Sequence, residues 1–337
     1  MSAPEKQKTL ILCAPSDFGF FDCIKVHLEK SGFEVFGFPI EDANYKYKSI
    51  LNRIYNSYRK IILGDKHYKT TVKLKERYQS LSPKLERLQN VDFALFIRPD
   101  MYPQQFIQEV KNKATKTVAY QWDSFNRFPH VLNYINLFDH FFTYDFRDLT
   151  YGSSLKLITN FYIGEPEVCA NTERKTAYLL GSFDEDRFQQ AVALKKELEY
   201  YEFDCSFTLK TAKKDHIKRL TKSGLKSITR SIYYPENLAA VKESTLLIDV
   251  QNTSQVGLSF RVFESLCYGK KLITTNKHIS KYDFFHPNNI FIWTGDNQKE
   301  LKSFLSTKYH TLDTEIVQKY SLKNWIRTVF NIPPHIQ

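Results

Sequence analysis

Glycine, cysteine and methionine are scarce in this chain, at 11, 5 and 2 of 337 residues. The turn after the first apolar run, Pro15–Phe20 (PSDFGF), is too poor in glycine for a dinucleotide fingerprint, so the N-terminal part is expected to hold something other than NAD. Cys13, Cys23, Cys169, Cys205 and Cys267 stand far apart without any C-x-x-C, which points to reduced thiols in the cytoplasm and away from a metal site or disulfide framework. No apolar run reaches the roughly 18 residues of a membrane span, and MSAPEKQK has no apolar signal core. A soluble cytoplasmic protein with neither cofactor nor metal is the expectation.

What the chain has in excess is positive charge, and it is concentrated. Residues 45–89 hold 12 Lys or Arg against 3 Asp or Glu, +9 of the formal +11, interleaved with tyrosines. Ile50, Leu51, Ile54, Tyr58, Ile61 and Ile62 recur at helical spacing, which predicts basic amphipathic helices over 47–63 and 67–81, with Ser82-Pro83 opening a turn. Lys46, Arg53, Arg59 and Lys60 are the candidate contacts to an acceptor or to an anionic membrane surface, where each lysine or arginine contributes on the order of 1 kcal/mol. Two other readings of the segment stay open: a solvated helical face, and nucleic-acid binding by stacking tyrosines, for which no recognised module is present.

Around this insertion the pattern alternates between apolar strands and helices. Thr9–Ala14, Glu34–Phe38, Phe93–Ile97, Thr117–Gln121 and Phe141–Thr143 read as parallel strands of one α/β domain. Such sheets bind ligands beyond the carboxyl ends of their strands, and those ends carry Asp17, Asp100, Asp123 and Asp145. Asp123, between Trp122 and Phe125, is the preferred general base, with Asp100 and Asp17 next; a strand-end aspartate that caps a helix is the competing role. Residues 154–174 read as a linker. A second α/β domain starts at Lys175–Leu180, with a Gly181-Ser182 turn and a helix from Asp186 that carries Arg187. Asp184-Glu185-Asp186 spells D-x-D but sits where a helix dipole favours acids.

The densest signal is Gln255–Asn276 (QVGLSFRVFESLCYGKKLITTN), which follows the apolar strand Ser244–Val250. Gly257 allows close backbone approach, the amides of Leu258 and Ser259 open onto a helix N-terminus, and Arg261 adds a positive fork, which together suit a phosphate. Phe260, Phe263, Leu266 and Cys267 would bury one side of the helix, with Glu264 placed to accept hydrogen bonds from a ribose diol. Gly269 then ends the helix.

Gly257–Glu264, Gly269–Asn276 and Tyr282–Phe284 together resemble the donor-nucleotide region of GT-B glycosyltransferases, most nearly the CgeB-like and related bacterial surface-polysaccharide (lipopolysaccharide or capsule) transferases. The resemblance implies two Rossmann-like domains facing a central cleft: an acceptor domain over 1–160, a nucleotide-sugar donor domain over 172–318, and a C-terminal helix, 319–337, packing back on the first. It implies that Gly257, Leu258 and Ser259 meet the donor diphosphate, that Glu264 holds the ribose, and that Gly181 and Arg187 belong to a phosphate-facing loop. Many retaining members carry a second glutamate eight positions before this one. Val256 occupies that place here, so inversion is expected, and the resemblance separately implies transfer without a bound divalent metal.

The function expected is hexosyl transfer from a nucleotide-sugar to a glycan or lipid-linked acceptor, at the inner face of the membrane, with no nucleic-acid partner. The alternatives are a nucleotide-sugar epimerase and a non-catalytic basic protein that binds membrane or nucleic acid.

Overall fold

The apolar runs near the N-terminus are buried on both faces, as strands inside a parallel sheet must be. A computed structural model describes residues 7–41, 54–55, 57–59, 68–167 and 174–337. Its first sheet contains β1 (Lys8–Pro15), β2 (Phe33–Ile40), β3 (Val91–Ile97), β4 (Ala114–Gln121), β5 (His140–Thr143) and β6 (Leu155–Leu157), all parallel, in the order β2-β1-β3-β4-β5-β6. Helix α1 (Phe20–Lys30) crosses between β1 and β2, α2 (Tyr68–Glu86) precedes β3, and α3 (Gln104–Lys113) links β3 to β4.

The second sheet repeats the plan with β7 (Thr176–Ser182), β8 (Asp204–Lys210), β9 (Lys226–Ile228), β10 (Leu246–Asp249), β11 (Lys271–Thr274) and β12 (Ile290–Ile292), again parallel, in the order β12-β11-β10-β7-β8-β9. Its helices are α4 (Glu185–Tyr200), α5 (Lys214–Lys222), α6 (Tyr234–Glu243), α7 (Phe260–Cys267) and α8 (Gln298–Ser306). The strand order reverses between β7 and β10. The crevice beyond their carboxyl ends is therefore where such a sheet takes a ligand.

After α9 (Thr314–Lys319), the last helix, α10 (Leu322–Phe330), returns to the first sheet. Its Trp325, Ile326, Val329 and Phe330 are buried in one core with Leu10, Leu95, Val118 and Tyr120. Trp325 Nε1 donates to the Thr159 carbonyl at 3.0 Å, and Tyr162 exchanges backbone hydrogen bonds with Tyr320 and Leu322. Two Rossmann-like domains clasped by a returning helix is the architecture expected from sequence.

Three local expectations change. Residues 154–174 are not a plain linker: they supply β6 and the buried Phe161, Tyr162 and Ile163. Helix α2 does not stop at 81 but runs through Pro83 to Glu86, because Leu81 and Leu85 pack into the core beneath the first sheet. Helix α7 is not half-solvated; Arg261 through Cys267 are all buried. Of the basic segment, Ile54–Tyr55 and Ser57–Arg59 are helical, with the Arg59 guanidinium 4.8 Å from the Tyr68 ring centroid. Lys46, Arg53 and Lys60 lie outside the described residues, as does Cys169. Among the described residues no helix is long and apolar enough to cross a membrane.

Candidate functional site

A cavity of about 500 Å³ lies at the point where the second sheet reverses, within the roughly 300–1,000 Å³ usual for small-molecule sites. Gly181 and Ser182 from the end of β7, Asp249 and Val250 from the end of β10, and Lys210 from the end of β8 line it. Ser259, Phe260 and Arg261 bring the N-terminus of α7 to its wall, and Glu264 stands one turn further in. That helix end is fixed by Asp249, which accepts from Ser259 Oγ at 2.7 Å and from Thr274 Oγ1 at 2.9 Å. The N-terminus of a helix, where backbone amides lack intrahelical acceptors, thus borders the cavity.

Glu264 is buried among polar partners. Arg261 Nη1 lies 2.8 Å from its Oε2, and Asn237 Nδ2 donates to its Oε1 at 3.2 Å. Asn237 Oδ1 in turn accepts from Arg261 Nη2 at 2.9 Å, and the guanidinium lies 4.8 Å from the Tyr178 ring centroid. Arg261 is therefore turned toward Glu264 and Asn237; it is not the free fork that the sequence suggests. The Tyr234 hydroxyl has no hydrogen-bond partner among the described residues, and Glu264 Oε2 meets only the Arg261 guanidinium, as an ion pair, though both side chains are almost fully buried and both residues line the cavity. Buried polar atoms are rarely left this way without a ligand or water to satisfy them.

Arg187 lines the same cavity. It ties the two central strands together, with Nε donating to the Val250 carbonyl at 2.9 Å and Nη1 to that of Ser182 at 2.6 Å. Asp184 caps α4 by accepting from Arg187 N at 2.8 Å, and Glu185 pairs with Arg219, so the first two acids of the D-x-D run are spent within the fold.

Two glycines set how closely the domains meet. A Cβ on Gly257 would stand 2.3 Å from Tyr144 Cδ2 and 2.5 Å from the Tyr144 carbonyl oxygen, so the close approach permitted here is to the first domain and not to a ligand. Leu258 is likewise drawn to the first domain, its carbonyl accepting from Asn160 Nδ2 at 2.9 Å. Gly257 and Leu258 are not among the cavity's lining residues. Across the cleft Gly19, at φ +69°, packs against the Tyr233 ring of the second domain. Between these contacts Phe20, Trp122, Tyr234 and Phe260 form an aromatic joint, with the Phe20 centroid 4.7–5.4 Å from the other three.

The three candidate bases separate. Asp100 is buried, with Arg98 Nε and Nη2 each 2.8 Å from one of its oxygens and His130 Nε2 at 3.2 Å. Burial alone would raise its pKa, but the hydrogen bonds from Arg98 and His130 outweigh it and bring the carboxyl down to about 2. So fixed an anion is a poor proton acceptor, and this corrects its place among the bases. Asp17 begins the short 3-10 turn after β1 and does not line the cavity. Asp123 stands at the boundary: Oδ1 accepts from Arg127 Nη1 at 2.8 Å and from Gln255 Nε2 of the second domain at 3.1 Å, while Oδ2 faces Arg98 Nη1 at 3.2 Å.

Sequence reasoning missed Lys210, Asn237, Arg127 and Phe18, all of which line the cavity. Lys210 is the last residue of β8, at the carboxyl end where such a sheet meets its ligand. Asn237 had no signal beyond its place in a helix.

No protein-family model and no curated protein matches the sequence. Solved structures do match its fold. The lipopolysaccharide outer core galactosyltransferase WaaB in its apo form superposes at TM-score 0.51 and 12% identity, over 96% of this chain and 99% of that one. A UDP-forming alpha,alpha-trehalose-phosphate synthase from Burkholderia xenovorans gives 0.58 at 11% identity, over 96% and 98%. An alpha-glucosyltransferase in complex with UDP and a DNA 13-mer gives 0.51 at 11% identity, over 95% and 92%. The chain has the GT-B fold of these neighbours along nearly its whole length.

Proposed function

We propose that this protein is a glycosyltransferase, holding a nucleotide-sugar in the second domain's cavity and an acceptor hydroxyl on the first domain's side of the cleft. The observation that carries this reading is the meeting of a buried, unpartnered Tyr234 hydroxyl, the ion-paired Glu264 carboxylate and a helix N-terminus in one cavity at the sheet's switch point. A ribose diol can donate to the Glu264 carboxylate beside its Arg261 partner, and a diphosphate suits the N-terminus of α7 with Lys210 and Arg187 beside it. The fold neighbours described with UDP make uridine nucleotides the first to test.

In the transfer proposed, the acceptor oxygen bonds to the anomeric carbon as the bond from that carbon to the diphosphate breaks, leaving the electron pair on phosphate. The acceptor's proton passes to Asp123, and the product is inverted at the anomeric carbon. Orientation of the two substrates and neutralisation of the leaving group supply most of the rate. Because amides, lysine and arginine provide that neutralisation, turnover is expected to continue in EDTA. The acceptor proposed is a glycan or lipid-linked hydroxyl in surface-polysaccharide assembly, approached from the inner face of the membrane.

The experiment is a turnover assay with a panel of UDP-, GDP-, CMP- and dTDP-sugars and mixed glycan acceptors, with products assigned by NMR. Acceptor-dependent release of one nucleotide supports transfer, and the product's anomeric configuration reports the stereochemistry. Sugar isomerisation without any acceptor would replace this reading with an epimerase.

A further inference from the structure

The first domain contributes three of the cavity's lining residues, Phe18, Phe20 and Arg127, and of these Arg127 alone is charged. Its side chain is 52% exposed, whereas that of its partner Asp123 is 14% exposed. One guanidinium therefore serves two places, bonded to Asp123 Oδ1 at 2.8 Å while standing in the wall of the space assigned to the donor. The carboxylate it holds is already supplied with donors: Gln255 reaches the same oxygen from the second domain, and Arg98 faces the other. Gln255 is itself held by the Tyr144 hydroxyl and also lines the cavity. Arg127 is the half-exposed member of this group, and Asp123 keeps two partners without it.

We infer that Arg127 is a donor-sensing residue, which leaves Asp123 for the donor's diphosphate when the nucleotide-sugar binds and so frees one of the two occupied acceptor positions of Asp123 Oδ1 for the acceptor hydroxyl. The inference rests on the cavity being the donor site. A diphosphate carries more negative charge than one carboxylate and offers more oxygens, so a guanidinium within reach of both moves to the phosphates. Donor binding thereby opens the acceptor's place on Asp123, and the two substrates bind in that order. Until the donor arrives, the oxygen that accepts the proton is covered.

The test measures binding by calorimetry for the wild type, Arg127→Gln, Asp123→Asn and the double variant. The probes are whichever of UDP, GDP, CDP and dTDP binds the wild type, and the matching nucleoside. Loss of a charge-assisted contact is expected to weaken the diphosphate about tenfold in Arg127→Gln, with nucleoside affinity unchanged. Asp123→Asn releases Arg127 and is expected to tighten the diphosphate about fivefold, a gain that vanishes in the double variant. Equal diphosphate affinity in wild type and Arg127→Gln overturns the hand-over while leaving the nucleotide site standing. So does a gain from Asp123→Asn that survives without Arg127, because that is simple relief of repulsion. Failure of every nucleoside and diphosphate to bind the wild type overturns the donor site and the inference together.

Discussion

Arg261 and Glu264 form a buried ion pair one helical turn apart, 2.8 Å from Nη1 to Oε2, in the wall of the cavity. Removing one partner strands the other's charge away from water. Arg261→Met is expected to destabilise the fold by about 3–5 kcal/mol, and Arg261→Met with Glu264→Leu by much less than the sum of the two single changes. Urea unfolding of the four proteins measures this. Additive losses would show that the pair is not coupled.

Gly257 meets the backbone carbonyl of Tyr144 as well as its ring, so no rotamer change can make room for a side chain. Gly257→Ala is expected to cost about 1–3 kcal/mol. It should also push the domains apart, because Gln255, Val256 and Leu258 all bond to the first domain on either side of it. Small-angle scattering should show a larger radius of gyration for the variant than for the wild type.

A pH effect follows from Asp148, which accepts hydrogen bonds from Thr143 Oγ1 at 2.6 Å and from the Phe125 amide at 3.1 Å. Burial is the largest influence on its pKa, and neighbouring Asp145 adds to it; together they outweigh the hydrogen bonds and raise the carboxyl to about 6 from an ordinary 3.8. The unfolded chain therefore loses this proton first. Stability that is full below about pH 4 is lost as the pH rises through about 6, roughly 3 kcal/mol in all. Asp148→Asn should flatten that part of the stability-against-pH curve.

How much of this was legible in the sequence depended on the kind of feature. The apolar runs from Thr9 and Leu246 announce their strands because a parallel sheet buries both faces. Short edge strands carry no such signal: β6 has one buried residue, Leu155, in three, and so was read as linker. Gly257 marked a close approach correctly, yet a glycine says only that something comes near, and the neighbour is Tyr144. The same holds for Arg261 and Asp100, whose charges appear free in the sequence but are paired by residues three or two positions away. Lys210 and Arg127 come from separate domains and line one cavity only through the tertiary fold, which no local pattern encodes.

The central claim is that the cavity around Glu264 takes a nucleotide, and a thermal-shift screen against UDP, GDP, CMP and dTDP tests it most directly. A ligand at about 100 times its dissociation constant stabilises a protein by roughly 2.7 kcal/mol, well within what such a screen detects. The account predicts a shift with one of the four and its loss in Glu264→Gln, which keeps the side chain's shape but not its charge. No shift with any nucleotide in the wild type, or an undiminished shift in the variant, would contradict it.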